Sequence, residues 1–195
     1  MSLFTTTYLW SQFSEGRIVM QQAFVLMANY NRQLNRQCYA CAAQLSQHDV
    51  KQERGAYFGS IFATLNHILV GDILWLQRFA RHPSAFRALQ PVLSLPVPTG
   101  LQQILYSNLG ELQQARELMD ELIIDFIGQI RQSDLQHHLL YHNSKGLPYK
   151  KNFASLLLHF FNHQTHHRGQ ISTLLSQFGI DVGVTDLLSL IVDED

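Results

Sequence analysis

Residues 60–80 constrain the fold most, because their apolar side chains cover much of the circumference of a helical wheel. A helix of this kind must be buried on most sides, so other helices have to surround it. Ser60 is a suitable N-cap at its start. Three further segments have helical periodicity and can provide that surrounding, namely residues 17–45, residues 99–131 with Thr99 as N-cap, and residues 151–178.

Prolines and turn residues divide these segments. Four of the five prolines fall in residues 81–98, which predicts a long crossover connection between the second and third helices. Residues 139–149 contain a turn between two short apolar pieces, and predict a small hairpin before the last long helix. Gly179 is a typical stop for that helix, and residues 185–190 are expected to form one further short turn. The sequence therefore predicts an all-α four-helix bundle, with residues 1–195 as a single domain.

Composition and charge exclude several classes of protein. The formal net charge is −1 and the basic residues are scattered, whereas nucleic-acid-binding proteins concentrate Lys and Arg on one face. No apolar run approaches the roughly 20 residues that a membrane-spanning helix needs. The N-terminal residues lack the basic start and apolar stretch of a signal peptide, which predicts a cytoplasmic location.

Histidines in the last long helix are the candidates for chemistry. With about 100° per residue, His167 lies in the middle of the apolar stripe and His163 lies at its edge. His159 and His166 lie outside the stripe. Two inward imidazoles one turn apart can ligate a single metal ion, or they can be hydrogen-bonded core histidines. A facing helix of the bundle can supply a third ligand.

The buried segment 60–80 offers two candidates for that third ligand. His67 is one, although periodicity does not single it out. Asp72 is the other, and it lies closer to the richest apolar arc of the helix. A buried Asp72 would alternatively accept a hydrogen bond, for example from an imidazole that it orients.

Several sequence blocks resemble the DinB (damage-inducible) family of bundle proteins. They are GSI at 59–61, TLNHIL at 64–69 with Asp72 and Trp75 after it, NHQTHHRGQ at 162–170, Tyr30-Asn31, and TDLL at 185–188. The resemblance implies a DinB-like bundle in which His67, His163 and His167 bind a divalent metal, and it favours His67 over Asp72. It also implies a homodimer.

Three nitrogen ligands with a vacant position are typical of a catalytic metal site. Imidazole ligands suit zinc, nickel, iron and copper, of which zinc and nickel are preferred here. Because the family includes thiol transferases that use bacillithiol or mycothiol, the resemblance implies a transferase that activates a small thiol for attack on a small-molecule substrate. The alternatives are a metal-dependent hydrolase that activates water, and a stress-response protein that binds metal without turnover.

Four residues are candidates to support the metal ligands, and no catalytic residue is assigned. His166 is one, with a solvated or interface position as the alternative. Arg168 would form an ion pair or hold an anionic substrate. Tyr30 would line the pocket or pack in the core, and Asp72 is the fourth candidate. Cys38 and Cys41 form a C-x-x-C pattern inside a helix, without the preceding strand of redox motifs, and are given no role.

Overall fold

The computed structural model describes residues 20–143 and 146–193. The predicted start of the first helix, at residue 17, lies outside them. The regular elements are α1 (Met20–Ala42), α2 (Gln47–Lys51), α3 (Ile61–Phe79), α4 (Leu109–Gln129), β1 (His138–His142), β2 (Pro148–Asn152) and α5 (Phe153–Ser176), with short 3-10 helices at Arg87–Ser94, Asp134–Gln136 and Leu187–Leu190.

The four long helices form the predicted bundle. α1 packs against α4 and α5, while α3 packs mainly against α5. The all-α prediction and the small hairpin before the last helix are both confirmed. None of the described helices is long and apolar enough to span a membrane.

α3 is the buried central helix that the sequence predicts. Fourteen of its 19 residues are buried. The Ser60 side chain caps its N-terminus by accepting a hydrogen bond from the backbone N–H of Ala63 at 3.1 Å. At the other end, the Phe79 ring packs against Phe126 and Phe153 at centroid distances of 6.0 and 5.4 Å. This packing holds α3 between the other helices and positions the residues that it carries.

The prediction that the third long helix begins at Thr99 is wrong, because α4 begins at Leu109. Asn108 caps it by accepting a hydrogen bond from the Glu111 N–H at 2.9 Å. The N–H groups of Leu105 and Tyr106 donate instead to the Asn66 side chain, at 2.8 and 3.2 Å. Residues 101–107 are consequently held as an irregular segment against α3, although their apolar residues continue the helical spacing.

The remaining boundaries differ from the predictions by a few residues. β2 extends to Asn152, so α5 begins at Phe153 rather than at residue 151. The Asn152 side chain explains this boundary, since it caps α5 by accepting from the Ser155 N–H at 3.1 Å. α1 ends at Ala42, and the short helix α2 that follows is not predicted.

The crossover connection is ordered by a 3-10 helix. Arg87–Ser94 forms this helix around Pro91, and its Leu89 and Val92 are buried against the bundle. The connection therefore closes one side of the core between α3 and α4.

Candidate metal centre

Three histidines from two helices converge on one point. α3 supplies His67, and α5 supplies His163 and His167 one turn apart. The Nε2 atom of His67 lies 3.1 Å from the Nε2 atom of His163 and 3.1 Å from that of His167. His67 and His167 are buried, His163 is partly buried, and the three ligand atoms lie within 4.8 Å of one another.

Hydrogen bonds on the far side of two rings determine which nitrogen faces this point. His67 Nδ1 lies 2.8 Å from the carbonyl oxygen of Leu101, and His167 Nδ1 lies 2.8 Å from the side-chain oxygen of Gln170. An oxygen of either kind only accepts, so both Nδ1 atoms carry the proton. In the neutral rings both Nε2 atoms are then acceptors. Two lone pairs face each other at 3.1 Å, an arrangement that a shared cation stabilises.

The nitrogen spacing fits a shared transition-metal ion. Imidazole nitrogen binds zinc at about 2.0–2.1 Å, so two such donors lie about 2.9 Å apart at a right angle and about 3.4 Å apart at the tetrahedral angle. The measured separation of 3.1 Å lies between these two values. A donor set of three neutral imidazole nitrogens suits zinc, nickel, copper and iron.

Burial keeps the three imidazoles neutral. It lowers the pKa of His67 to about 4, although the hydrogen bond to Leu101 opposes the shift. Burial, with the neighbouring histidines adding to it, lowers the pKa of His163 to about 3. The pKa of His167 is lowered as well, again chiefly by burial. Near pH 7 the site therefore presents unprotonated ligands, as metal binding requires.

Phe58 covers one side of the cluster. Its ring stacks on the His67 ring at 3.8 Å between centroids and meets the His167 ring edge-on at 5.5 Å. Phe58 belongs to the turn before α3, where Gly59 has φ +80, a left-handed conformation that favours glycine. The turn therefore places an apolar wall beside two of the three imidazoles.

Gly71 makes room for the His163 ring. A Cβ atom at this position would lie 2.9 Å from His163 Cε1, closer than real Cβ contacts. α3 and α5 thus approach each other with no side chain between Gly71 and the imidazole. This close approach lets His163 reach the point that His67 and His167 share.

Among the candidate supporting residues, His166 contacts a ligand ring. Its own ring is exposed and lies edge-on to His167 at 4.9 Å. The Gln170 side-chain NH2 donates to His166 Nε2 at 3.2 Å. His159 lies further out, with its ring centroid 6.1 Å from that of His163 and 5.1 Å from that of the partly buried Trp75.

The structure places Asp72 in a second, separate polar cluster. Its carboxylate accepts a hydrogen bond from Arg116 and is fully buried. Burial raises the pKa of Asp72 to about 6, although Arg116 opposes the shift. Arg116 also lies 3.0 Å from Asp120. Asp72 is therefore neutralised by an arginine, and it does not join the histidines.

Arg168 and Tyr30 complete that second cluster rather than the metal site. Arg168 is buried and donates to the side-chain oxygens of Asn31 and Asn35, whose NH2 groups donate in turn to Asp120. No described carboxylate forms a direct ion pair with Arg168. The Tyr30 ring lies 5.4 Å below the Arg168 guanidinium, and its hydroxyl donates to the Thr185 carbonyl at 2.6 Å.

Among the described residues, Cys38 and Cys41 form no hydrogen bond with either cluster. Both are free thiols buried in α1. Burial raises the pKa of Cys38 to about 11 and raises that of Cys41 as well. Protonated, buried thiols are poor nucleophiles.

Sequence reasoning missed four groups around the histidines: Phe58, Gly71, Gln170 and the carbonyl of Leu101. Two of them leave a signal in the sequence. A glycine inside an apolar helix often marks a close approach, and Gly71 follows His67 by one turn. Gln170 follows His167 by three residues, on the same helix face. The Leu101 carbonyl leaves none, because any residue type carries one.

Most of the chain is similar to known proteins. The model of the DinB family matches residues 20–194. Protein DinB of Bacillus subtilis (strain 168) is 28% identical over 157 residues, which cover 80% of this chain and 87% of that protein. The range matched by the family model, residues 20–194, includes all three converging histidines.

Proposed function

The chain belongs to the DinB family, and we propose that it binds one divalent transition-metal ion, zinc or nickel, through His67, His163 and His167. We propose further that the loaded protein transfers a small thiol to an electrophilic substrate. The observation that carries the metal site is the convergence of three Nε2 atoms while protein oxygens hold the Nδ1 protons of His67 and His167.

The protein's own groups prepare the site before any ligand binds. Leu101 and Gln170 hold two imidazoles in the tautomer that directs Nε2 inward. Phe58 and the helix α3 exclude water from one side of the cluster. When bound, an ion held by three nitrogens with a position left over supplies Lewis acidity and lowers the pKa of a thiol or a water.

Metal binding is tested with protein purified without an affinity tag. Elemental analysis is expected to find close to one equivalent of zinc or nickel, or the metal-free protein is expected to take up one equivalent when supplied. His67→Ala should abolish this uptake. His48→Ala is the matched control, because His48 is an exposed histidine in α2. Failure of wild-type protein to bind either ion would refute the metal site.

The reaction is tested separately with the metal-loaded protein. Several low-molecular-weight thiols are offered together with a chlorodinitrobenzene electrophile, and thioether formation with release of chloride is followed. Thiol-dependent conjugation that is lost in His67→Ala and kept in His48→Ala is the expected result. Cleavage of an ester without thiol would replace the transferase by a hydrolase. If neither assay gives product, the transferase proposal is refuted and the protein binds metal without turnover.

A further inference from the structure

A cleft lies on the same side of α3 as His67. It has a volume of about 360 Å³, and its walls come from the C-terminal half of α3, from residues 97–101 and from the end of β1. Leu74, Arg78, Arg81, Leu101 and Tyr141 are among the lining residues. A volume of this size accommodates a small organic molecule.

The charges that line the cleft have one sign. Arg78 and Arg81 both contribute to the wall, and no described carboxylate does. None of the ion pairs among the described residues includes either arginine. The half-buried guanidinium of Arg78 lies instead against the rings of Trp75 and Tyr141, at 4.7 and 5.3 Å. Two uncompensated guanidinium groups in one concave wall attract an anion.

The cleft lies along the same face of α3 as His67, toward the C-terminal end of the helix. His67, Gly71, Leu74 and Arg78 follow one another at intervals of four, three and four residues, so they share one face of α3. Leu101 contacts both the histidine cluster and the cleft. Its carbonyl accepts the hydrogen bond from His67, and the residue also lines the cleft. His67 and Arg78 are eleven positions apart, or about 16 Å along the helix axis. Helical side chains lean toward the N-terminus, which brings the Arg78 side chain closer to the histidines.

We propose that this cleft is the anion-binding part of the metal site. Its ligand is an elongated organic acid with a terminal carboxylate, which Arg78 and Arg81 bind. The other end of the same molecule reaches the point where the three histidines converge. This second half of the proposal rests on the proposed function, whereas the binding of the carboxylate does not. The occupant of the site is thereby restricted to acids long enough to span both places.

Carboxylate binding is tested first in metal-free protein, with glutarate as the probe and its uncharged diamide as the comparison. Trp75 lies under Arg78 and reports on binding by fluorescence, in a Trp10→Phe background that removes the second tryptophan. Glutarate is expected to change the fluorescence saturably, and the diamide is not. Arg78→Met should weaken glutarate binding about tenfold to a hundredfold, because a charge-assisted hydrogen bond is lost.

Matched variants make this result specific. Arg81→Met should also weaken binding, while Arg78→Lys should keep part of it because the positive charge remains. Arg87→Met is the control, since Arg87 is exposed and does not line the cleft. Equal binding of glutarate and its diamide would overturn the proposal. An equal loss in Arg78→Met and Arg87→Met would overturn it too.

The connection to the histidines is tested with a molecular ruler on the cobalt-loaded protein. The probes are ω-mercaptoalkanoic acids from 3-mercaptopropionate to 11-mercaptoundecanoate, each compared with the mercaptoalcohol of the same length. Sulfur-to-cobalt charge-transfer absorption measures binding at the metal. The acids are expected to show a maximum of affinity at one intermediate length, and Arg78→Met should reduce the difference between acids and alcohols of that length.

The two experiments separate the two proposals. If no thiol gives charge-transfer absorption while glutarate still binds through Arg78, the thiol chemistry fails and the carboxylate site stands. If thiols bind but the acids follow the alcohols at every length in wild-type protein, the carboxylate site is refuted as part of the metal site and the thiol chemistry stands.

Discussion

Two polar clusters lie inside the same bundle. One consists of neutral imidazoles, and the other consists of paired charges. The histidine cluster brings three neutral imidazoles together, and the Nε2 atoms of His67 and His167 face each other as acceptors. The second cluster contains two aspartates and two arginines, connected through the asparagines of α1; its members are Asp72, Arg116, Asp120, Arg168, Asn31 and Asn35.

The difference explains why the histidine cluster, and not the second cluster, is the one proposed to bind a ligand. In the second cluster every formal charge has an opposite charge nearby, so the charges balance within the protein, although Asp72 Oδ1, Arg116 Nε and Arg116 Nη2 form no hydrogen bond with described residues. In the histidine cluster the Nδ1 atoms of His67 and His167 donate to protein oxygens, which leaves their Nε2 atoms facing each other as acceptors. No hydrogen bond to a described oxygen fixes the tautomer of His163, whose Nε2 lies 3.1 Å from that of His67. His67 and Asp72 on α3 therefore lie in different clusters despite being five residues apart.

The largest expected effect is on the free energy of unfolding, at the buried ion pairs of the second cluster. Arg116→Met leaves two buried carboxylates, Asp72 and Asp120, without their shared cation. The free energy of unfolding should fall by about 3–5 kcal/mol, measured by urea denaturation of the metal-free protein. Arg131→Met is the matched control, because the Arg131 side chain is 74% exposed in its pair with Asp134. A loss as small as that of the control would show that the cluster does not contribute to stability.

Some residues of the two clusters could be predicted from the sequence and others could not, for physical reasons. His163 and His167 could be found because helical periodicity directs both to the interior. His67 could not be found from periodicity, since α3 is buried on nearly every side and no face of it is distinguished. The pairing of Asp72 depends on Arg116, which lies 44 positions away on α4, and local spacing contains no information about such a partner.

The fold was predicted well where helices are capped and buried, and poorly where a distant side chain intervenes. Ser60 marks the start of α3 in both sequence and structure. The start of α4 was misplaced by about ten residues because Asn66, a residue of α3, binds the N–H groups of Leu105 and Tyr106. That same tertiary contact holds the segment whose Leu101 carbonyl orients His67.

Gly71→Ala should damage the histidine cluster without unfolding the bundle. The new Cβ would lie 2.9 Å from His163 Cε1, so the ring must move away from the other two imidazoles. Zinc affinity, measured by competition with a chromophoric chelator, should fall about a hundredfold. Gly169→Ala on α5 is the control, since no atom lies within 4 Å of its added Cβ. It should keep zinc affinity and gain up to about 1 kcal/mol of stability. Wild-type affinity in Gly71→Ala would contradict the positioning role.

The pH dependence of stability should distinguish the clusters by sign. An unfolded histidine has a pKa near 6.5, whereas His67 and His163 titrate at about 4 and about 3 when folded. Between those values the unfolded chain binds more protons, so the free energy of unfolding falls as the pH drops. Asp72 acts oppositely, because its pKa is raised to about 6 and the folded state binds its proton first.

For the metal-free protein, each of the two histidines should remove about 1.5 kcal/mol between pH 6.5 and pH 5. Urea denaturation at both pH values measures this loss. The double variant His67→Gln/His163→Gln should lack this part of the loss and keep only what His167 and other histidines with a lowered pKa contribute. His48→Gln should retain the full loss because His48 is exposed. A loss as large as that of the wild-type protein in the double variant would show that His67 and His163 do not cause the pH dependence.

The smallest effect is expected from the group that orients His167. Gln170→Leu removes the acceptor of the His167 Nδ1 proton, which lies 2.8 Å away, and frees the ring to rotate or to change tautomer. Zinc affinity should fall about tenfold. Gln170→Glu keeps an acceptor at the same place and should restore the affinity. Because Gln170 also donates to the exposed His166, His166→Ala is measured in parallel and should leave zinc affinity unchanged. Equal losses in Gln170→Leu and Gln170→Glu would show that the hydrogen bond does not orient the ligand, and that packing against the neighbouring rings holds His167.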